Sequence, residues 1–109
     1  MKSLTNYLSE EQAVQCVGKG WEKLVRKVYN AKIGMGITVG IIQVKEKWGG
    51  LRIYTDYYDS HLEEVIMQVS RDSLTICEEC GAPGGLVAKG TWCQTRCEEH
   101  RGEWEPVQH

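Results

Sequence analysis

Several features are missing from this chain, and each absence removes a class of function. No window of its 109 residues approaches the ~18 apolar residues of a membrane-spanning helix. Its start, Met1-Lys2-Ser3-Leu4-Thr5-Asn6-Tyr7, lacks the apolar stretch of a secretory signal, so a soluble, cytoplasmic protein is expected. Repeats and low-complexity linkers are absent, and the length falls below that at which chains divide, so a single domain is expected over residues 1–109. No nucleophile stands with a base in a motif, no glycine loop is built to cradle phosphate, and no open set of metal ligands occurs. The expectation is therefore a protein that is not an enzyme, the cluster Lys45, Glu46, Lys47 and Arg52 being the only seat catalysis would have. Cysteines number five. An odd count with four of them close together argues for a reducing compartment and against a disulfide framework.

The cysteines that are present carry the clearest signal. Cys77-Glu78-Glu79-Cys80-Gly81 is followed by Cys97-Glu98-Glu99-His100. Each motif places two soft ligands so that one tight turn aims both at a tetrahedral Zn²⁺. Gly81 supplies the positive-φ residue such a turn needs and frees backbone N–H groups to approach thiolate sulfur. Cys77, Cys80, Cys97 and His100 would form a structural site, since four protein ligands leave no position for a substrate water. Cys93 offers an alternative. Were residues 92–100 helical throughout, Cys93 and Cys97 at i and i+4 would face the metal and leave His100 outside. Otherwise Cys93 is a small, partly buried hydrophobe. Cys16 lies alone on a helical face, and His61 and His109 read as an exposed helix-start residue and a tail residue.

Periodicity places these motifs in an α+β fold, a small helix-hairpin-helix core (1–72) followed by a zinc-ribbon-like module (73–101) and a frayed tail (102–109). Ser9 and Gln12 form a capping box. Val14, Val17, Trp21, Leu24, Val25 and Val28 then recur at helical spacing. Gly18 and Gly20 would each cost about 1 kcal/mol inside that helix, so they point to a distorted first half or a close backbone neighbour, with regular helix starting near Trp21. Gly34-Met35-Gly36 ends it. Residues 37–44 are rich in β-branched residues, and 51–55 follow after Trp48-Gly49-Gly50, which reads as a hairpin. A Gly49-Gly50 turn would pair Trp48 with Leu51, Lys47 with Arg52, Glu46 with Ile53 and Lys45 with Tyr54. Ile42, Val44, Trp48, Leu51 and Ile53 then face the core, while Lys45, Lys47, Arg52 and Tyr54 form a candidate binding surface. Glu46 on the apolar side has no evident partner. A second helix, capped by Asp59 or by a Ser60/Glu63 capping box, buries Leu62, Val65, Ile66 and Val69 and ends near Arg71. Beyond it come a strand at 86–88, a turn at Gly90, and a tail whose one anchor would be Trp104. The apolar residues of this last part are too few to hold it closed without metal.

Charge divides along the chain. Residues 1–53 carry nine Lys/Arg against four Asp/Glu, and residues 54–109 four against eleven. A generic DNA coat is excluded, and any polyanion must be met by the first half. Lys47 opposite Arg52 invites an external anion or an internal carboxylate such as Asp56.

Gly20-Trp21, the run Ile42-Gln43-Val44-Lys45-Glu46-Lys47-Trp48-Gly49-Gly50-Leu51-Arg52-Ile53-Tyr54, Ser73 leading to Cys77-Glu78-Glu79-Cys80-Gly81-Ala82-Pro83-Gly84, and Trp92 to Cys97 and His100 together resemble a family of small uncharacterised zinc-binding proteins common in bacteriophages and prophages. The resemblance spans roughly residues 20–100. It implies a phage setting, the cytoplasm of a bacterial host and a zinc module, but no mechanism. In that family residue 93 is usually not cysteine, which favours Cys97 and His100 as ligands, and phenylalanine is more usual at residue 48. Two functions are expected from this combination. The first is a non-enzymatic accessory protein that binds a host protein, for counter-defence or regulatory inhibition, through the hairpin face and the acidic ribbon. The second is a nucleic-acid-binding module in which Lys45, Lys47 and Arg52, with helix lysines such as Lys23 and Lys27, contact phosphates while an aromatic side chain stacks on bases. An apolar strand at 37–42 on an open sheet edge would also allow a homodimer.

Overall fold

The computed structural model describes residues 7–107. In chain order the elements are α1 (Glu10–Val14), a 3₁₀ turn (Lys19–Trp21), α2 (Glu22–Gly34), β1 (Ile41–Lys47), β2 (Gly50–Thr55), α3 (Ser60–Ser73), β3 (Gly85–Lys89), β4 (Trp92–Arg96), α4 (Glu98–Arg101) and β5 (Glu105–Pro106). Helices and small antiparallel sheets thus share one chain, the mixed class expected. β1 and β2 form one sheet, and the second has the order β4-β3-β5.

Local chemistry explains most boundaries. The capping box at α1 is formed, Ser9 accepting from the Gln12 N–H while the Gln12 side chain accepts from the Ser9 N–H. Regular helix resumes only at Glu22, because Gly18 and Gly20 lie against another stretch of backbone: a Cβ on Gly20 would stand 1.9 Å from the Cys77 carbonyl oxygen. The cap of α3 is Asp59, which accepts from the Leu62 N–H at 2.9 Å, and not the Ser60/Glu63 box. Trp21, Leu24, Val25 and Val28 pack with Val44, Leu51 and Ile53 of the hairpin and Leu62, Ile66 and Val69 of α3 in one buried cluster. Each such side chain contributes about 1.5–3 kcal/mol by leaving water.

The hairpin turn lies one residue earlier than expected, so every cross-strand partner is shifted by two residues. Lys47 pairs with Gly50, Glu46 with Leu51, Lys45 with Arg52, Val44 with Ile53 and Gln43 with Tyr54. The turn is therefore Trp48-Gly49, both at positive φ, 54° and 85°. Trp48, expected in the core, is 77% exposed, and Ile41 rather than Ile42 is buried. Residues 37–40 form no strand, so the apolar edge expected at 37–42 is reduced to the first two residues of β1.

The tail also departs from expectation. Instead of fraying after Arg101, the chain adds β5 to the second sheet, with Val87 opposite Pro106 and the Val107 N–H donating to the Leu86 carbonyl at 2.9 Å. His109 lies outside the described residues. No helix among the described residues is long and apolar enough to cross a membrane.

Candidate functional site

The first cysteine motif is a backbone knuckle closing a short hairpin. Ile76 bridges to Pro83. The Cys77 N–H donates to the Ala82 carbonyl and the Gly81 N–H to the Cys77 carbonyl, both at 2.8 Å. Gly81 has the positive φ anticipated for it, 82°. The second motif forms differently. Cys97 follows β4 directly and stands at the N-cap of α4, and the single turn of α4 brings His100 back over it, so that Cys97 Sγ and His100 Nδ1 are 3.1 Å apart.

Together the two motifs converge. Cys77 Sγ lies 3.7 Å from His100 Nδ1, and Cys80 Sγ lies 3.7 Å from Cys97 Sγ. All four ligand atoms fall within 4.8 Å of one another, so one metal ion could be held by them. Zn–S bonds of about 2.3 Å and Zn–N bonds of about 2.0–2.1 Å in a tetrahedron require S···S near 3.8 Å and S···N near 3.6 Å. The donor set fits. Cys93 stands apart on β4 opposite Ala88, because residues 92–96 are strand and not helix, so the structure brings His100 and not Cys93 to the cluster.

Burial works against ionising Cys97, but donation from the His100 ring and backbone N–H lowers the thiol to about 7. His100 is raised in return, chiefly by Cys97. A metal ion bound here would displace the ligand protons, and of these the Cys97 proton is already loosened.

Spacing alone did not single out the group that ties the two motifs together. The Arg96 guanidinium donates from Nε to Glu78 Oε1 at 3.1 Å and from Nη1 to the His100 carbonyl at 3.4 Å, and its Nη2 lies 3.3 Å from Glu79 Oε1. Glu78 is only 7% exposed, and burial raises its pKa although Arg96 opposes the shift. The module is also fastened to the helical part. The Gly20 N–H donates to the Glu78 carbonyl at 2.9 Å, and the buried Trp21 indole N–H donates to the Ile76 carbonyl at 2.8 Å. The two glycines in a helical pattern were the sequence signal for this contact.

Lys45, Lys47, Arg52 and Tyr54 do share the outward face of the hairpin, though Lys45 rather than Lys47 stands opposite Arg52. Lys45 Nζ lies 5.7 Å from the centroid of the Tyr54 ring. Asp56 is not the carboxylate for this face. It accepts from the Tyr7 hydroxyl at 2.6 Å and the Gly40 N–H at 2.9 Å. Among the described residues none of the ion pairs includes Lys45, Lys47 or Arg52. Glu46, unexplained in the sequence, accepts from the Gly49 N–H at 2.6 Å and so closes the turn. Beside the hairpin, β2 and α3 border a groove of about 400 Å³ lined among others by Arg52, Tyr54, Tyr57, Tyr58 and Met67.

No family model, curated protein or solved structure matches the chain.

Proposed function

We propose that this chain is a small non-enzymatic accessory protein of bacteriophages or prophages that binds a protein of its bacterial host. A structural Zn²⁺ on Cys77, Cys80, Cys97 and His100 holds a zinc-ribbon-like module against a helix-hairpin-helix core. The observation that carries the partner reading is the groove between β2 and α3. Tyr54, Tyr57, Tyr58 and Met67 are all exposed there beside Arg52. Tyrosine, methionine and arginine are the residues enriched at the centres of protein interfaces, where rigid rings contribute contact area at little entropic cost.

Two measurements test this reading. Elemental analysis of untagged protein should find one zinc per chain, lost in Cys77→Ser and Cys97→Ser and retained in Cys93→Ser. A Cys93→Ser protein without zinc would remove the ligand assignment. For the partner, a photo-crosslinking residue at Tyr57 in host lysate should identify one protein, and calorimetry with that purified protein should show Arg52→Glu and Tyr54→Ala each weakening binding about tenfold or more, as interface anchors do. Unchanged affinity in both variants would move the interface elsewhere.

A further inference from the structure

A second feature, independent of the tyrosine groove, lies at the tip of the hairpin. Gly49 is clamped from both sides: its N–H donates to Glu46 Oε2 at 2.6 Å, and its carbonyl accepts from the buried Thr95 hydroxyl at 2.6 Å. The turn lies so close to the second sheet that a Cβ on Gly49 would stand 2.4 Å from Leu86 Cδ1. This docking delivers Trp48 beside the β3–β4 turn, where Trp92 begins β4. Trp48, Trp92, Thr91, Lys47, Glu46 and Cys93 line one cleft of about 270 Å³. Both indoles are left in solvent, 77% and 73% exposed. Trp48 is held there in the left-handed region, which a bulky residue adopts only at a cost of order 1–3 kcal/mol. An indole that is both strained and unburied adds little to folding, so its position calls for a ligand.

Charge selects the ligand. Lys47 lines the cleft, Lys89 is the register partner of Trp92, and Lys45 and Arg52 stand on the hairpin's outward face. None of the four belongs to an ion pair among the described residues. The one carboxylate in the lining, Glu46, is already engaged by the turn it closes. We propose that the Trp48/Trp92 cleft is an aromatic clamp for a base of a single-stranded nucleic acid, with Lys45, Lys47, Arg52 and Lys89 meeting the phosphates on either side. Every base presents a π-face, so such a clamp is tolerant of sequence, and paired bases in a duplex cannot enter it. The acidic residues of the second motif lie on α4 and not in the cleft lining.

The test uses the zinc-loaded full chain and a labelled short oligothymidylate followed by fluorescence anisotropy and tryptophan quenching. Saturable binding is expected, weakening between about 50 and 200 mM salt, with the same-length duplex bound much less well. Trp48→Asn and Trp92→Ala should each weaken binding about 5- to 150-fold, the range for loss of one stacking partner. Trp48→Asn is the decisive variant, because asparagine is favoured at the first place of this turn and the fold should melt at the same temperature or higher. Lys47→Gln with Lys89→Gln should lower the magnitude of the slope of log affinity against log salt by about 1.4, about 0.7 for each phosphate contact on a single strand. Absence of saturable binding at low salt overturns the proposal, as does wild-type affinity in a folded Trp48→Asn or equal affinity for the duplex. Binding of an acidic peptide in place of the oligonucleotide would assign the cleft to a protein and overturn it as well.

Discussion

Asp56 shows how a single side chain can close an open end of the fold. Its carboxylate joins the Tyr7 hydroxyl to the Gly40 N–H, while the Asp56 N–H returns to the Gly40 carbonyl, so the start of β1 and the end of β2 are tied to the segment before α1. The Tyr7 hydrogen bond is the main reason the Asp56 pKa is lowered. A carboxylate whose folded pKa is depressed adds stability above its ordinary range and loses it as the pH falls through the lowered value. Carboxyl ¹³C titration should therefore find Asp56 below the usual carboxylate range, and Tyr7→Phe should return it toward that range and shrink the acid-side loss of stability. An unmoved Asp56 titration in Tyr7→Phe would assign the depression to the Gly40 amide instead. None of this was legible beforehand, because the partners are 49 and 16 residues away in sequence. What was legible at this scale was local: the Ser9 cap, the positive φ of Gly81 and the two pairs of Cys/His residues that could hold a metal, each fixed by neighbours within a few positions.

Between elements, the decisive contact is the one that docks the hairpin on the second sheet. Trp48-Gly49-Gly50 admits two different two-residue turns, and sequence pattern favours neither, since both place apolar residues on one face over most of the hairpin. The structure selects Trp48-Gly49, in which Gly49 packs against Leu86 and Gln94 at a φ of 85° that a side chain rarely adopts, and Thr95 and Glu46 satisfy both backbone groups of Gly49. The outer edge of β2 is completed in the same manner, the Leu51 N–H donating to the Ser73 hydroxyl at 2.9 Å. Thr95→Val keeps the shape of the side chain but leaves the Gly49 carbonyl without its donor, a loss of about 1–3 kcal/mol. Thr95→Ser keeps the donor and should lose less. Denaturant unfolding of both variants decides the point, equal losses placing the role of Thr95 in its methyl group. The short β5 escaped sequence reading for a related reason: its two residues have no periodicity, and their pairing is set wholly by β3.

At the scale of the whole molecule, the metal motifs and the helical core are physically continuous. The first knuckle seats on Gly18 and Gly20, the Gly20 N–H and the Trp21 indole N–H both donate into it, and Arg96 links the first knuckle to the second. Buried hydrogen bonds of this kind hold only while the acceptors stay in place, and the acceptors belong to a segment with few apolar residues of its own. A structural zinc ion in comparable small modules is worth about 10–16 kcal/mol of apparent binding free energy, far more than those few side chains supply. Chelation should therefore loosen more than residues 75–107. Hydrogen exchange after metal removal is expected to accelerate at Gly20 and at the Trp21 indole as well as through both knuckles, while amides of α3 facing the Leu62, Ile66 and Val69 cluster remain protected. Unchanged protection at Gly20 and Trp21 would mean that the helical part holds its own contact surface without the ion, and that the glycines accommodate the knuckle but do not depend on it.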